Sequence, residues 1–152
     1  MTTEGDFSEQ EWKSVLQGPP SAGMIVITAQ RGGTFRESFS IAKAYTEARQ
    51  RRGDSELLDE VAAAKPEMDH KRFRSIDELE QHALQRIRDA VALVETKADP
   101  TEVEEYRGFI VELAERVAEA HREGFLGLSG DRVSESESGA IAKVREAAGA
   151  SA

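Results

Sequence analysis

Four times in this chain a hydroxyl residue stands three positions ahead of a glutamate at the head of an apolar run: Ser8 with Glu11, Thr34 with Glu37, Ser75 with Glu78, and Ser134 with Glu137. Each pair fits a capping box, in which the hydroxyl accepts from the amide three residues on and the glutamate reaches back to the cap amide. Asp99-Pro100-Thr101-Glu102 marks a fifth start, with proline at the first helical position, where no amide hydrogen is needed. Glycine marks the stops: Gly18 after Ser8–Gln17, Gly32-Gly33 after Pro19–Arg31, Gly53 after an arginine-rich end, and Gly124 after Arg122-Glu123. Glycine adopts the left-handed backbone that closes helices.

Between these marks the apolar period is helical. Phe35, Phe39, Ala42, Tyr45 and Ala48 form one stripe, and Ile76, Leu79, Ala83, Ile87, Ala90 and Val94 a second. Val103, Tyr106, Ile110, Leu113, Val117 and Ala120 form a third. Steps of three and four put each set on one face. The last two helices are long and meet at a tight turn near Asp99, which predicts an antiparallel hairpin. Met24-Ile25-Val26-Ile27-Thr28 is β-branched, but nothing else offers it a partner strand, and a lone strand leaves its backbone groups unpaired. It is expected to be a buried helix from about Pro20 to Gln30, started by the proline pair. Residues 66–74 read as a polar connector anchored by Phe73. The expected fold is an all-α, single-domain bundle of six to seven helices over residues 7–147, with loose ends at 1–6 and 148–152.

Composition excludes several chemistries. The 152 residues contain no cysteine, so disulfides, thiolate nucleophiles and Cys-zinc sites are ruled out. A net charge of −9 repels phosphate backbones, so nucleic acid is not an expected partner. The longest apolar stretch, Ala22–Ala29, is far below a membrane span, and MTTEGDFSEQ lacks the apolar core of a secretory signal. A cytoplasmic location without membrane contact is expected. The basic clusters Arg49-Gln50-Arg51-Arg52 and Lys71-Arg72-Phe73-Arg74 read as solvated runs, the first at a helix end where cations favour the dipole.

Familiar catalytic patterns are missing. Glu78 and His82 stand four apart, but there is no His-Glu-x-x-His, and Glu119 and His121 do not face each other on a helix. His70, His82 and His121 therefore read as ordinary histidines. Glu112, Glu115 and Glu119 read as a solvated face opposite Ile110, Leu113 and Val117. No Gly-x-Ser-x-Gly, Walker loop or Gly-x-Gly-x-x-Gly occurs. Neither enzymatic activity nor a cofactor is expected.

Two glycine-marked loops are the candidate sites. In the first, Arg31 and Arg36 flank Gly32 and Gly33 ahead of a capped helix, where backbone amides can hold an anion. The second runs from Gly124 through Phe125, Leu126, Gly127 and Asp131 to Glu135 and Glu137. Phe125, Leu126 and Phe73 are apolar residues in loop settings, which mark an interface wherever they are exposed. Gly33-Thr34-Phe35-Arg36-Glu37 with Ile41-Ala42-Lys43 faintly echoes Asp131-Arg132-Val133-Ser134-Glu135 with Ile141-Ala142-Lys143.

The stretch from Leu16-Gln17-Gly18-Pro19 through Ala48, with Gly124-Phe125-Leu126-Gly127 and Val133-Ser134-Glu135, resembles a group of uncharacterised bacterial helical proteins. More distantly it is similar to tellurite-resistance TerB-like domains. That resemblance implies a helical fold with two loop-plus-helix halves, and a divalent metal held by Asp131, Glu135 and Glu137. In the first half Gly32-Gly33 stands where the resemblance calls for Asp-Gly. Taken together, these features point to a non-catalytic helical module that binds a protein partner or a second copy of itself. The alternative is a small-ligand, anion or metal-binding domain using the loops at 30–37 and 124–137.

Overall fold

A computed structural model describes residues 2–29, 35–50, 56–64, 75–124 and 135–149. Among them the chain forms a single 3-10 turn over Glu4–Asp6 and six α-helices. These are α1 (Glu9–Ala29), α2 (Phe35–Gln50), α3 (Glu56–Ala63), α4 (Ile76–Lys97), α5 (Pro100–Gly124) and α6 (Glu135–Ala148). The fold is an all-α bundle, and among the described residues no helix is long and apolar enough to cross a membrane.

Three of the five predicted starts lie within the described residues, and at each the expected cap side chain accepts from the amide three residues on. Glu11 N–H donates to Ser8 Oγ at 3.1 Å, and Ser8 N–H returns the bond to Glu11 Oε1 at 2.8 Å. Phe7 and Trp12, one residue outside the cap and the first beyond the box, meet with ring centroids 5.6 Å apart. That contact is a hydrophobic staple fixing how the chain enters α1. Ser75 Oγ accepts from Glu78 N–H at 3.1 Å at the head of α4. Asp99 Oδ1 accepts from Glu102 N–H at 2.9 Å at the head of α5.

The carboxyls of Glu11 and Asp99 are held below their ordinary values by these bonds: backbone donation from Ser8, then its hydroxyl, for Glu11, and backbone donation from Glu102 for Asp99. Both folded values are depressed, so the unfolded chain takes up protons first as acid is added. The stabilisation is whole above the ordinary carboxylate range, near pH 4, and is lost as pH falls through the depressed values. Glu11→Gln and Asp99→Asn are expected to melt below the wild type at neutral pH. The gap should close under acid, as thermal scans across pH would show; a gap independent of pH would contradict this.

The first residues have ordered contacts, although their small polar composition marks them as a loose end. Thr2 is buried, its N–H donates to Glu102 Oε2 at 3.1 Å, and its hydroxyl donates to Glu102 Oε1 at 2.9 Å. Glu102 thus caps α5 and clamps the N-terminal segment onto it. At the other end Ala148 is fully buried, and Gly149 closes α6 with a left-handed φ of 71°.

One predicted boundary is absent. Gly18 does not end a helix, and Pro19-Pro20 does not start one; α1 runs unbroken from Glu9 to Ala29 through all three. The Met24–Thr28 segment is helical as expected, but as the second half of that longer helix. Proline inside a helix leaves the carbonyl four residues earlier without its donor. For Pro19 that carbonyl belongs to Val15, and the buried Tyr106 hydroxyl of α5 donates to it at 2.5 Å. Two residues on, Ser21 Oγ donates to Gln17 O at 2.7 Å. Gly18 admits the phenol: a Cβ there would lie 2.4 Å from the Tyr106 hydroxyl and 2.9 Å from Ala90 Cβ. Gly23 plays the same part toward α2, where a Cβ would lie 2.6 Å from Ile41 Cδ1.

These close approaches make α1 the central helix. Val15, Ala22, Ile25 and Val26 are all buried, and α1 packs against α4, α5, α6 and α2. The long arms α4 and α5 join at Ala98-Asp99, yet each packs more extensively against α1 than against the other. The predicted faces of α4 and α5 are buried through Ala83, Ile87, Ala90 and Val94 and through Val103, Tyr106, Ile110, Leu113 and Val117. On α2 the buried stripe is Ile41, Ala44, Tyr45 and Ala48, whereas Ala42 is exposed. The stripe thus departs from the expected one at Ala42, in whose place Ile41 packs onto the bare surface of Gly23; the side chains of Phe35 and Phe39 lie outside the described set.

Candidate functional site

A glycine inside a helix costs about 1 kcal/mol relative to alanine, so it calls for a reason. Gly18 and Gly23 have one in the approach of neighbouring helices. Gly108, in the middle of α5, does not: a Cβ built there meets nothing within 4 Å. Gly139 of α6 is equally open, on an exposed face. What sets Gly108 apart is the space above it, a cleft of about 310 Å³ between α2, α3 and α5.

Residues 105, 108, 109 and 112 of α5 recur at helical spacing and form one wall of the cleft, opposite Ala48 of α2 and Leu58 and Asp59 of α3. Phe109 and Ala48 are buried and Leu58 is half-buried, which gives an apolar floor. Tyr45 meets Phe109 edge-on with centroids 5.2 Å apart, so the ring is held from behind. Around this floor, among the described residues, stand the carboxylates of Asp59, Glu105 and Glu112.

The walls are tied together by two arginines, one of which, Arg49, belongs to a run expected to be solvated. Arg49 of α2 donates from Nε to Ala62 O at 2.6 Å, at the C-terminal end of α3. A cation on the last carbonyls of a helix satisfies orphan acceptors and complements the helix dipole. Arg116 of α5 bonds both Glu112 of its own helix and Glu47 of α2. The cleft is therefore preformed rather than a gap between loosely apposed helices. Glu115 and Glu119 are exposed, on the solvated face expected of them, and Glu115 also pairs with Arg145 of α6 at 2.5 Å; Glu112 is half-buried and pairs with Arg116 of its own helix.

Glu105 differs from its neighbours. It is half-buried, and one of its carboxylate oxygens is enclosed with no hydrogen-bond partner. Buried acceptors almost always have one. The signal that could have drawn attention to this site is Gly108 itself, interrupting a strong helical stretch with Glu105 three residues before it and Glu112 four after.

The other predicted sites fall elsewhere. Arg31, Gly32, Gly33, Phe73, Phe125, Leu126 and Asp131 lie outside the described residues. Arg36 falls in the first turn of α2, and Glu135 and Glu137 in the first turn of α6, but their side chains also lie outside the described set. Among the described residues no cluster of three or more His, Asp or Glu could hold a metal ion. His82 is half-buried on α4, where Nε2 accepts from Arg86 Nε at 2.8 Å, and Arg86 also reaches Gln17 of α1. That chain links α4 to the central helix.

Filling the cleft should leave the fold intact. Gly108→Ala is expected to stabilise the protein by about 0.5–1 kcal/mol, since the methyl meets no neighbour and the unfolded chain loses freedom. Chemical denaturation would measure it, and a loss of stability would show the position to be structurally constrained.

Fold and site together define an all-α bundle with a preformed, acid-rimmed apolar cleft on one side. No family model, curated protein or solved structure is significantly similar to this chain.

Proposed function

We propose that this protein is a non-catalytic interaction module that receives part of a protein partner in the cleft between α2, α3 and α5. The observation that carries this reading is the bare helix position at Gly108, open above the apolar floor formed by Phe109 and Leu58. Among the described residues nothing packs against Gly108, which leaves room for an incoming side chain. Among the described residues the lining is an apolar floor with carboxylates around it, which suits recognition of a partner's side chain. An apolar centre with a polar rim is the usual anatomy of a binding patch.

Gly108→Leu tests the proposal, because leucine fills the cleft and favours the helix. A random peptide library displayed against the wild type should enrich sequences that no longer bind the leucine variant. Light scattering on both proteins would detect self-association; a wild-type dimer that the variant cannot form identifies the occupant as a second copy. If no peptide is enriched in a cleft-dependent way and both proteins are monomers, the proposal fails.

A further inference from the structure

One wall of the cleft is held differently from the rest of the bundle. α3 has eight residues. An isolated helix shorter than about 12–15 residues is marginal in water, so α3 depends on its neighbours. It buries Leu57, Val61 and Ala62. Leu58, the next residue, is half-buried and lines the cleft, where Gly108 of α5 has no side chain to fill the space. Atoms that face an unfilled space have no partners there, so α3 forfeits packing on that side. Hydrogen bonds from other elements supply what packing does not. Arg49 of α2 donates from Nε to Ala62 O at 2.6 Å and from Nη2 to Ala64 O at 3.4 Å, both at the C-terminal end of α3. On its flank, Glu4 N–H of the N-terminal turn donates to Glu60 Oε2. That turn is anchored in its own right, because Thr2 is clamped to Glu102 of α5.

Resting on the reading of the cleft as an interaction site, we infer that α3 is a latched wall of that site. It opens away from α2 and α5 as one unit while α1, α4 and α5 stay folded, and Arg49 and the N-terminal turn are its latches. Helix formation is cooperative, so a helix of two turns is released whole rather than residue by residue. Sub-global openings of this kind occur in elements with few buried apolar contacts. Neither Arg49 nor Glu60 lines the cleft, so the latches can be altered without changing what a partner touches. A partner side chain that bridges Leu58 and Phe109 meets both walls in the latched form alone, and by binding that form it holds α3 shut.

Native-state hydrogen exchange on the ¹⁵N-labelled full-length protein provides the test. Amides 60–64 of α3 are expected to be at least about a hundredfold less protected than amides 110–117 in the buried middle of α5. Low urea should erode protection in α5 much more than in α3, because opening α3 exposes little surface. Tyr106→Phe removes a bond that stays intact when α3 opens alone. It should therefore lower α5 protection at least about fivefold and leave α3 unchanged. Arg49→Gln should lower α3 protection about tenfold, since a charge-assisted bond to the helix end is lost. Glu60→Ala, which removes the acceptor for the N-terminal turn, should lower it about threefold and serves in place of Arg49→Gln if that variant does not fold. If α3 matches α5 in protection and urea response, or loses protection with Tyr106→Phe as α5 does, the independent opening is overturned. If neither latch variant lowers α3 protection, the latches are overturned. A cleft-dependent library peptide should raise α3 protection. If the library yields none, the interaction reading falls, while the exchange of α3 still decides whether this wall opens by itself.

Discussion

Tyr106→Phe is expected to destabilise the bundle by about 1–3 kcal/mol, the usual penalty for leaving a buried acceptor without its donor. The acceptor is Val15 O, which Pro19 cannot serve from within α1. For a domain of this size the melting temperature should fall by about 2–4 °C per kcal/mol. The cause can be isolated with a double-mutant cycle. Pro19→Ala restores an amide hydrogen four residues from Val15, so in that background Tyr106→Phe should cost much less than in the wild type. Equal costs in the two backgrounds would show that the hydroxyl matters for some other reason. Alkali supplies a second check. Burial raises the Tyr106 and Tyr45 phenols above their ordinary value, so both stay protonated in the folded chain. Stability is whole below the unfolded value, near pH 10, and falls as pH rises beyond it. Tyr106→Phe should shrink that alkaline loss.

Gly18→Ala is expected to cost at least as much, about 1–3 kcal/mol or more, through overpacking. The added methyl would sit 2.4 Å from the Tyr106 hydroxyl and 2.9 Å from Ala90 Cβ, and the second of these cannot swing away because it is fixed to the α4 backbone. Relief requires α1 to move from both α4 and α5, which opens gaps in a close-packed core. Gly108→Ala serves as the control, since the same chemical change at an open position should stabilise. The two substitutions should therefore have opposite signs in parallel denaturant melts. In the Tyr106→Phe background the clash with the hydroxyl is gone, so Gly18→Ala should cost less there, by an amount that reflects the contact with the phenol alone. If Gly18→Ala were neutral in the wild type, the close approach of the three helices would be wrong.

Both predictions concern one feature, the passage of a helix through Gly18-Pro19-Pro20, and it shows where local rules stop. Read locally, that tripeptide is a stop followed by a start, because glycine favours a C-terminal cap and proline a first turn. The residue that reverses the reading lies 91 positions from Val15 in sequence. No window on α1 contains it. Ser21 contributes a local bond that was legible in principle, but a serine hydroxyl bonding back to the preceding turn is common enough to carry little weight on its own. The α2 stripe has a similar lesson: Ile41 and Ala42 both fit a helical period, and only the bare surface of Gly23 decides which one turns inward.

The cleft was less legible still. Gly108, Phe109 and Glu105 stand in the interior of α5, and Asp59 in the first turn of α3. Their convergence depends on how α3 lies against α2 and α5, which Arg49 and Arg116 settle through bonds to partners on other elements. Arg49 in particular sits in a basic run whose local reading, a solvated helix end, is the usual one for such runs.

What the sequence determined by itself was the set of events whose physics is local. Capping at Ser8, Ser75 and Asp99 needs atoms within three residues, and the 3.6-residue period fixes which sides of α4 and α5 are greasy. Helix content and the inward faces of the long arms follow from these, as the absence of disulfide chemistry follows from the lack of cysteine. The tertiary structure alone decided where α1 is continuous, which helix lies at the centre and which carboxylates share a cleft. The reason is common to all three. Each depends on a group supplied from a distant part of the chain, a phenol for an orphan carbonyl or a guanidinium for a helix end, and such a partner exists only once the helices have come together.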